Sequence, residues 1–528
     1  MIFFKNFVLT FLLFLLSIFF IFNYYSSFFF CLNYFSFYKF FSFLDFFFHF
    51  NFDNFLMFLM ICFVTLFVMM FSEIYMESYN VKKFFTFLFF FFLSMTVLIF
   101  SSSNMSIIFS WDLLGLSSVF LIKFYPNEIS SFNSLFTMIF NRLGDFFLLM
   151  SMIFILTNNC KFLFFLDNSM FLFFFFFFFF FCIMTKSAQF PMSTWLPLAM
   201  SAPTPISTMV HSSTLVTVGI IFFFKYNDLF FFSNFFFIFY CMSSITFIAG
   251  GLMACYEMDF KKIVAFSTMS QISMIMFFMS FNLKIFSIMH MMFHAYFKSF
   301  LFGCSGMLFF SFFMNQNKFF ISVKNFNKKM SLFMIFNLYM MSGFIYSMSF
   351  FSKDFLFEWS YSNLNLTFFF LIILNGTIFT VMYCKILILS SMNFLSMYSC
   401  YFYKKDNNIY NWYYMYSFLF LFSLMYIYFS FFNYFYLEDS IMLNLFMIFL
   451  IFIFFKKNFF MFYLVYANLF FNYYLNLMNL IFNFFFFLTL DQEFFFKSYY
   501  IMSFNYDLFK SKFFNFLEIF IKNLASFF

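Results

Sequence analysis

Residues 186–211 read K-S-A-Q-F-P-M-S-T-W-L-P-L-A-M-S-A-P-T-P-I-S-T-M-V-H, and this stretch governs the interpretation of the whole chain. The ionisable Lys186 ends one long apolar run, and His211 lies inside the next. Four of the five prolines of the chain fall between them, at Pro191, Pro197, Pro203 and Pro205. Irregular backbone at membrane depth is tolerated only where protein or a water-filled cavity surrounds it. The stretch therefore predicts a broken transmembrane helix beside a polar site.

The composition predicts an all-α polytopic membrane protein. The 528 residues are 65% hydrophobic and 9% charged, with a mean hydropathy of +0.96, whereas soluble globular chains carry about 25% charged residues. Apolar runs long enough to span a bilayer recur from end to end, so about 15 transmembrane helices are expected. Their approximate bounds are 2–22, 27–44, 54–72, 84–101, 105–124, 131–156, 168–187, 204–224, 231–251, 260–281, 284–313, 331–351, 364–391, 413–433, 440–455 and 459–487.

Several classes of chemistry are excluded by what the sequence contains. The net charge of +7 is dispersed in short clusters, which is too sparse for a nucleic-acid surface. The nine cysteines form no C-x-x-C pair, which argues against iron–sulfur, zinc and disulfide frameworks. The nine glycines fit neither a P-loop nor a G-x-G-x-x-G motif, so the chain itself is expected to bind no nucleotide, metal or other cofactor.

The bias toward phenylalanine and methionine indicates which kind of genome encodes the chain. Phenylalanine accounts for 131 residues and methionine for 43, while glycine and proline are scarce. Packing alone would not favour phenylalanine so strongly over leucine, but an AT-rich genome with T-rich codons would. An organellar genome is the usual source of such a bias.

The C-terminal residues differ from the rest. Residues 491–528 mix charges with apolar residues at helical spacing, which predicts an amphipathic helix lying along a membrane surface or a partner. The predicted organisation is N-terminal transmembrane helices over 1–83, two half-channel repeats over 84–224 and 225–395, further transmembrane helices over 396–490, and this amphipathic helix.

Ionisable side chains cluster within or beside the apolar runs, where each costs roughly 2.5–3.5 kcal/mol at mid-bilayer unless it is paired or hydrated. A hydrated proton path explains such a set, but single members have simpler explanations. Lys186 at a helix end can extend to the interface, Asp112 can be a helix cap, and Lys353 with Asp354 can also cap a helix. The candidates are Asp112, Arg142, Asp145, Lys186, His211, His290, His294, Lys298, Lys353 and Asp354.

Three of these side chains share a helix face. His290, His294 and Lys298 fall at i, i+4 and i+8, about 6 Å apart per step. Two imidazoles and an amine in this arrangement can pass a proton through bound water. Metal binding is a weaker alternative because the third group is a lysine, and simple helix–helix hydrogen bonding remains open.

Two further polar groups are interpreted as structural. Arg142 and Asp145 lie at i, i+3 and are expected to pair with each other. The segments D-F-K-K at 259–262 and S-T-M-S-Q at 267–271 are interpreted as packing or helix-start residues.

The order and spacing of several motifs resemble the antiporter-like membrane subunits of mitochondrial NADH:ubiquinone oxidoreductase (respiratory complex I), and within that family the chain 5 branch. The family also includes large subunits of multisubunit Na⁺/H⁺ antiporters. The resemblance covers roughly residues 50–395. The motifs are W-D-L-L-G-L-S-S at 111–118, N-R-L-G-D at 141–145, T-K-S-A-Q-F-P to V-H-S-S-T over 185–214, D-F-K-K-I-V-A-F-S-T-M-S-Q at 259–271, H-M-M-F-H-A-Y-F-K at 290–298 and F-S-K-D at 351–354.

The resemblance implies a fold of two inverted five-helix repeats, each with a broken helix. It also implies site roles. An acid–lysine pair maps onto Asp112 and Lys186, and an exit lysine maps onto Lys353, with Asp354 beside it. The connecting residues of the proton path map onto His211, His290, His294 and Lys298.

Two departures from the family pattern alter these expectations. The family usually has glutamate where this chain has Asp112, so the carboxylate has a shorter reach toward Lys186. The family normally ends in a long lateral helix and an anchoring span, whereas here a shortened lateral helix without an anchor is expected over 491–528.

The expected function is proton translocation as a multi-pass membrane-arm subunit of complex I in the mitochondrial inner membrane. NADH, FMN, iron–sulfur clusters and ubiquinone would act on partner subunits. The expected partners are other complex I subunits, especially the neighbouring antiporter-like chain 4, and membrane lipids, with no nucleic acid. A subunit of a multisubunit cation/proton antiporter is the alternative, and a silent structural subunit is a third.

Overall fold

The computed structural model describes part of the chain, and every described residue lies in the first of two compact units, Met1–Ile453. Expectations for residues 1–27 and 393–528, including the last three predicted spans and the amphipathic helix, lie outside the described residues. The described ranges are 28–32, 46–76, 81–125, 127–157, 169–230, 235–311, 315–318, 328–343, 347–362 and 367–392.

The described residues are mostly helical. Two strands come first, β1 (Phe28–Leu32) and β2 (Phe46–Phe50). The helices are α1 (Phe52–Tyr75), α2 (Val81–Phe100), α3 (Asn104–Ile122), α4 (Glu128–Thr157), α5 (Ser169–Lys186), α6 (Trp195–Ala199), α7 (Thr204–Ile206), the π-helix π1 (Ser207–Thr214), α8 (Leu215–Phe230), α9 (Phe235–Tyr256), α10 (Phe260–Ser280), α11 (Lys284–Ser311), α12 (Lys328–Ser342), α13 (Met348–Ser362) and α14 (Thr367–Met392).

The membrane class is confirmed by the length and hydropathy of these helices. Eight helices in the described part are long and apolar enough to cross a bilayer. A helix of about 20 residues is about 30 Å long, which matches the hydrocarbon thickness. Helices satisfy their own backbone hydrogen bonds, as a chain in lipid requires. The chain is therefore a multi-pass membrane protein.

The predicted span over 27–44 is wrong where the structure describes it. Phe28–Leu32 is a strand, paired antiparallel with Phe46–Phe50 so that Phe28 faces Phe50. Aromatic residues favour strands as well as apolar helices, and a short apolar run does not distinguish the two.

The predicted span over 331–351 is also wrong, because two helices share it. Helix α12 ends at Ser342 and α13 begins at Met348. Gly343 lies between them with φ +83°, a conformation that favours glycine. A Cβ atom at Gly343 would lie 2.7 Å from Lys353 Cδ, so the turn also needs glycine's small size.

Two helical segments form the interior of the described part. Most residues of Thr204–Asn227 and Phe260–Ser280 are buried, whereas fewer than half of those in Lys83–Phe100 and Glu128–Ile153 are buried. Helix α10 packs against α9 and α11, and α11 packs against π1. His211 and residues 267–271 are thus in the interior, where polar side chains can find partners away from lipid.

Candidate functional site

The break predicted from the prolines is confirmed and lies next to Lys186. Helix α5 ends at Lys186, a turn region with the short α6 follows, and helical structure resumes at Thr204. Trp195 Nε1 donates to the Thr185 carbonyl at 2.9 Å, which satisfies one of the backbone acceptors at the end of α5. The Pro-rich segment is therefore packed back onto the helix it interrupts.

His211 lies in a π-helical stretch beyond the break. Hydroxyl groups compete for the backbone carbonyls of this stretch: Thr214 Oγ1 donates to Met209 O at 2.7 Å, and Ser213 Oγ donates to the same carbonyl at 3.1 Å. Such side-chain bonds distort regular helices, and π-helical turns are frequent at functional sites. His211 is fully buried, and both of its ring nitrogens lack a hydrogen-bond partner among the described residues.

Lys186 lies at the inner end of a chain of charges. Its Nζ is 4.0 Å from Asp145 Oδ1 and 5.1 Å from the centroid of the Trp111 ring. Asp145 Oδ2 accepts from Arg142 Nη1 at 3.3 Å, and the same Arg142 atom is 3.5 Å from Asp112 Oδ1. The Lys186 side chain is 1% exposed and that of Asp112 is 43% exposed, so the series runs from the interior to the surface.

The direct Asp112–Lys186 pair implied by the resemblance is not what the structure has. Asp145 is the carboxylate beside Lys186, and Asp112 contacts Arg142 instead. The Asp112 side chain is 43% exposed, and Arg142 connects its carboxylate to that of Asp145. The pairing of Arg142 with Asp145 is confirmed, but the pair is continuous with Lys186 rather than separate from it.

Gly144 sets the distance between α4 and α5 at this ion chain. A Cβ atom there would overlap Thr185 Oγ1 and lie 3.3 Å from Thr185 Cβ. We expect Gly144→Ala to push the helices apart, lengthen the Asp145–Lys186 contact and lower any proton transport that depends on it. The matched control is Gly115→Ala, whose methyl would lie at ordinary distances of 3.7 and 3.9 Å from Lys186 Nζ and Asn141 Cβ. Equal proton transport in the two variants would contradict this prediction.

His290, His294 and Lys298 lie on the single continuous helix α11 and are all buried. His290 Nδ1 is 2.8 Å from Ser352 Oγ, and its Nε2 is 3.1 Å from Gln271 Oε1. Both ring nitrogens of His294 lack hydrogen-bond partners among the described residues.

Lys298 is held on the other side of His294. Its Nζ donates to Ser267 Oγ and, at 3.4 Å, to the Val264 carbonyl. It also lies 5.8 Å from the centroid of the Tyr383 ring. The amine has no carboxylate partner among the described ion pairs.

The segment 267–271, interpreted from sequence as packing or helix-start residues, supplies polar partners to this face. Ser267 contacts Lys298, and Gln271 connects His290 to Tyr383, because its Nε2 donates to Tyr383 Oη at 2.9 Å. These residues lie in the middle of α10 rather than at its start. The helix-start interpretation is therefore wrong for residues 267–271, and their contacts with α11 are interhelical packing contacts.

Lys353 lies inside α13, not at the end of a span as predicted. Its Nζ donates to the Met341 and Ser342 carbonyls at 3.0 Å each and to Thr380 Oγ1 at 3.1 Å. Those carbonyls end α12, where unpaired acceptors and the helix dipole favour a cation. The break at Gly343 thus creates the site for Lys353. Asp354 beside it is 6% exposed.

Two further lysines, absent from the sequence candidates, also bond to backbone carbonyls. Lys225 on α8 donates to Leu98 O at 2.5 Å and to the carbonyl and hydroxyl of Ser101, at the end of α2. Lys261 donates to Ala202 O at 3.2 Å. In the sequence each of these lysines lies inside or at the start of an apolar run. That position is also expected for a lysine whose side chain simply extends to the membrane interface.

The chain is similar in sequence to proteins of a known family. Residues 101–380 match the family described as NADH:quinone oxidoreductase/Mrp antiporter, TM. The NADH-ubiquinone oxidoreductase chain 5 of Caenorhabditis elegans is 37% identical over 308 residues, which are 58% of this chain and 58% of that protein. The chain 5 of Ascaris suum is 36% identical over 302 residues, 57% of this chain and 55% of that protein. The chain thus spans a little over half the length of these relatives.

Two solved structures share the fold. One is the Mrp complex from Dietzia sp. DQ12-45-1b, with a TM-score of 0.62 and 18% identity, covering 70% of this chain and 42% of that one. The other is the membrane-bound sulfane sulfur reductase, an archaeal respiratory membrane complex, with a TM-score of 0.60 and 16% identity, covering 72% of this chain and 80% of that one. The family match extends over more than half of the 528 residues, and the chain belongs to the NADH:quinone oxidoreductase/Mrp antiporter transmembrane family.

Proposed function

We propose that the chain is a proton-translocating membrane-arm subunit of NADH:ubiquinone oxidoreductase in the mitochondrial inner membrane. The observation that carries the proposal is a set of buried amines and imidazoles within a largely apolar membrane protein: Lys186, His211, His290, Lys298 and Lys353. Intramembrane ionisable groups are costly and mark ion or proton pathways. The chain 5 relatives supply the respiratory complex as the setting.

The first half of the proposed mechanism uses the ion chain at Lys186. A carboxylate close to a lysine stabilises the ammonium form, and its withdrawal favours release of the proton. Arg142 contacts both Asp145 and Asp112, so a shift of Arg142 toward Asp112 changes the charge next to Lys186. The released proton would move toward His211, whose two unpartnered ring nitrogens can bind water.

The second half uses the hydrogen bonds around α11. Lys298 receives the proton in this proposal. A series of hydrogen bonds then connects Tyr383, Gln271, His290 and Ser352 in that order. Ser352 is the residue before Lys353. Hydroxyl and imidazole groups can each donate and accept and so can pass a proton, whereas the Gln271 amide reverses its hydrogen bonds only when its side-chain amide group rotates. Lys353 then exchanges the proton with the far side, and Asp354 lies beside it.

The redox chemistry belongs to partner subunits in this proposal. NADH oxidation, the flavin, the iron–sulfur clusters and ubiquinone reduction are located there, and a conformational change couples them to the charges described above. The chain contributes to the enzyme by moving protons and carries out no electron transfer itself.

We propose that a neighbouring membrane subunit, the antiporter-like chain 4, covers the surface around Asp112 and Arg142. Their side chains are 43% and 47% exposed. Exposed apolar side chains surround them along α3 and α4, including Phe109, Leu113 and Ile139. An ion pair facing lipid is costly, so a partner with a polar group at this depth stabilises the arrangement.

The first test is a native gel of detergent-solubilised mitochondrial membranes, stained for NADH dehydrogenase activity, with peptides identified from the stained band. We expect peptides of this chain in the large active band. The proposal is wrong if the chain migrates only in a smaller assembly without NADH activity. Cation-driven proton flux in that smaller assembly would establish the antiporter alternative.

A further inference from the structure

Lys261 is a buried cation that the proposed path does not use. It is the second residue of α10 and is 5% exposed. Its Nζ donates to the Ala202 carbonyl at 3.2 Å and lies 5.8 Å from the centroid of the Phe309 ring. The neighbouring Lys262 is different: it is 28% exposed and pairs with Asp259 at 2.9 Å. Among the described ion pairs none includes Lys261, so its recorded polar partner is a backbone carbonyl.

That carbonyl lies at the helix break and lacks its ordinary donors. In a continuous helix the N–H groups three or four residues onward would donate to Ala202 O. Residue 205 is a proline and has no N–H, and the Ile206 N–H donates to Pro203 O at 3.0 Å. Lys261 therefore supplies the hydrogen bond that the proline break removes.

The two ends of this contact belong to different parts of the proposed path. Nine residues after Ala202 the chain reaches His211 in π1. On the other side, α10 carries Ser267 and Gln271, which contact Lys298 and His290. A shift of the Lys261–Ala202 contact would change the position of His211 relative to α11.

The residues just before α10 are also held by hydrogen bonds from Lys318. The Lys318 N–H donates to Met258 O and its Nζ donates to Glu257 O, at 2.9 and 2.8 Å. Glu257 and Lys318 are half-buried, which raises the pKa of the Glu257 carboxyl and lowers the pKa of the Lys318 amine. Lys261 thus extends from an anchored helix end.

We propose that Lys261 is a positioning residue, whose ammonium group on the Ala202 carbonyl holds the broken helix and His211 in register with the Lys298–His290 face of α11. This inference rests on the proposed function, because the relative position of His211 and α11 matters for proton transfer between the two halves of the proposed path. The main rival is that Lys261 itself carries protons.

The test compares Lys261→Met, Lys261→Arg and the control Lys262→Met in the assembled complex, using the ratio of protons moved to electrons transferred. Arginine keeps a positively charged donor but does not release its proton in proteins. A positioning role predicts a lowered ratio for Lys261→Met, recovery of most of the ratio in Lys261→Arg, and an unchanged ratio in Lys262→Met. Peptides covering residues 199–212 should also exchange amide hydrogens about 10-fold faster in Lys261→Met, because a charged hydrogen bond is lost.

Several outcomes would overturn the inference. One is an unchanged proton-to-electron ratio in Lys261→Met. Another is a Lys261→Arg variant that does not assemble. The third is an assembled Lys261→Arg variant whose proton-to-electron ratio is as low as that of Lys261→Met. If Lys261→Met does not assemble, the ratio in Lys261→Arg decides alone. Lys186→Met is measured in the same membranes: an unchanged ratio there contradicts the proposed function itself, whereas a lowered ratio there with a normal Lys261→Met rejects only this inference.

Discussion

Replacing Lys186 with methionine is expected to stop proton movement through this chain while NADH oxidation continues in the assembled complex. Methionine preserves much of the length of the side chain but cannot carry a proton. Lys186 is 1% exposed and 4.0 Å from Asp145, so no solvent replaces its charge. An excess proton crossing this position would meet an uncompensated cost of about 3–5 kcal/mol, which slows its passage by about 100-fold or more.

The measurement is the proton-to-electron ratio in sealed inner-membrane vesicles driven by NADH. Lys123→Met is a suitable control, because Lys123 is an exposed lysine just after α3 and takes no part in the ion chain. The ratio should fall in Lys186→Met and remain normal in Lys123→Met. The same ratio in both variants would remove Lys186 from the mechanism.

Replacing Lys353 with methionine is expected to lower both proton transport and stability. The substitution leaves the Met341 and Ser342 carbonyls without the Lys353 donor, whereas the Thr380 hydroxyl keeps its hydrogen bond to the Thr377 carbonyl. Each buried polar group left unsatisfied costs about 1–3 kcal/mol. We therefore expect a lowered temperature of thermal inactivation in addition to a lowered proton-to-electron ratio.

Thr380→Val separates these two effects. Valine is similar in shape to threonine but removes only one acceptor of Lys353, leaving both carbonyls bound. Thr380 Oγ1 also donates to the Thr377 carbonyl, so valine removes two hydrogen bonds, and the expected loss of stability is about 1–3 kcal/mol with most proton transport retained. If Thr380→Val reduced transport as strongly as Lys353→Met, the hydroxyl rather than the amine would be the essential group.

The parts of the fold that the sequence predicts well depend on length, hydropathy and proline. The break after Lys186 follows from residues that cannot continue a helix, and it is present. Helices α1 to α5 and α8 to α11 match predicted apolar runs. The β1–β2 pairing was not predicted, because its phenylalanines suit a strand and a buried helix equally. The α12–α13 break depends on the φ of Gly343, which hydropathy does not reveal.

The candidate site was predicted in its residue types but not in its pairings. The sequence identifies Lys186, Lys298 and Lys353 because charges are rare in apolar runs. It does not show which carboxylate is nearest, and Asp145 rather than Asp112 contacts Lys186 because the α4–α5 packing brings Asp145 closer.

The neutral partners were missed for a related reason. Ser267 and Gln271 bear no charge. Uncharged polar residues are common in helices, so their presence in an apolar run does not by itself indicate a functional site. Their role depends on facing α11, which is a property of helix packing and not of the local sequence.

The most direct test of the account is NADH-driven acidification of liposomes that contain the purified complex with both Lys186→Met and Lys298→Met. The internal pH is followed with a trapped dye, and NADH oxidation is followed in the same sample. The account predicts continued NADH oxidation with fewer protons moved per electron than in the unmodified complex. An unchanged number of protons per electron in the assembled double variant would contradict the claim that this chain translocates protons along these residues.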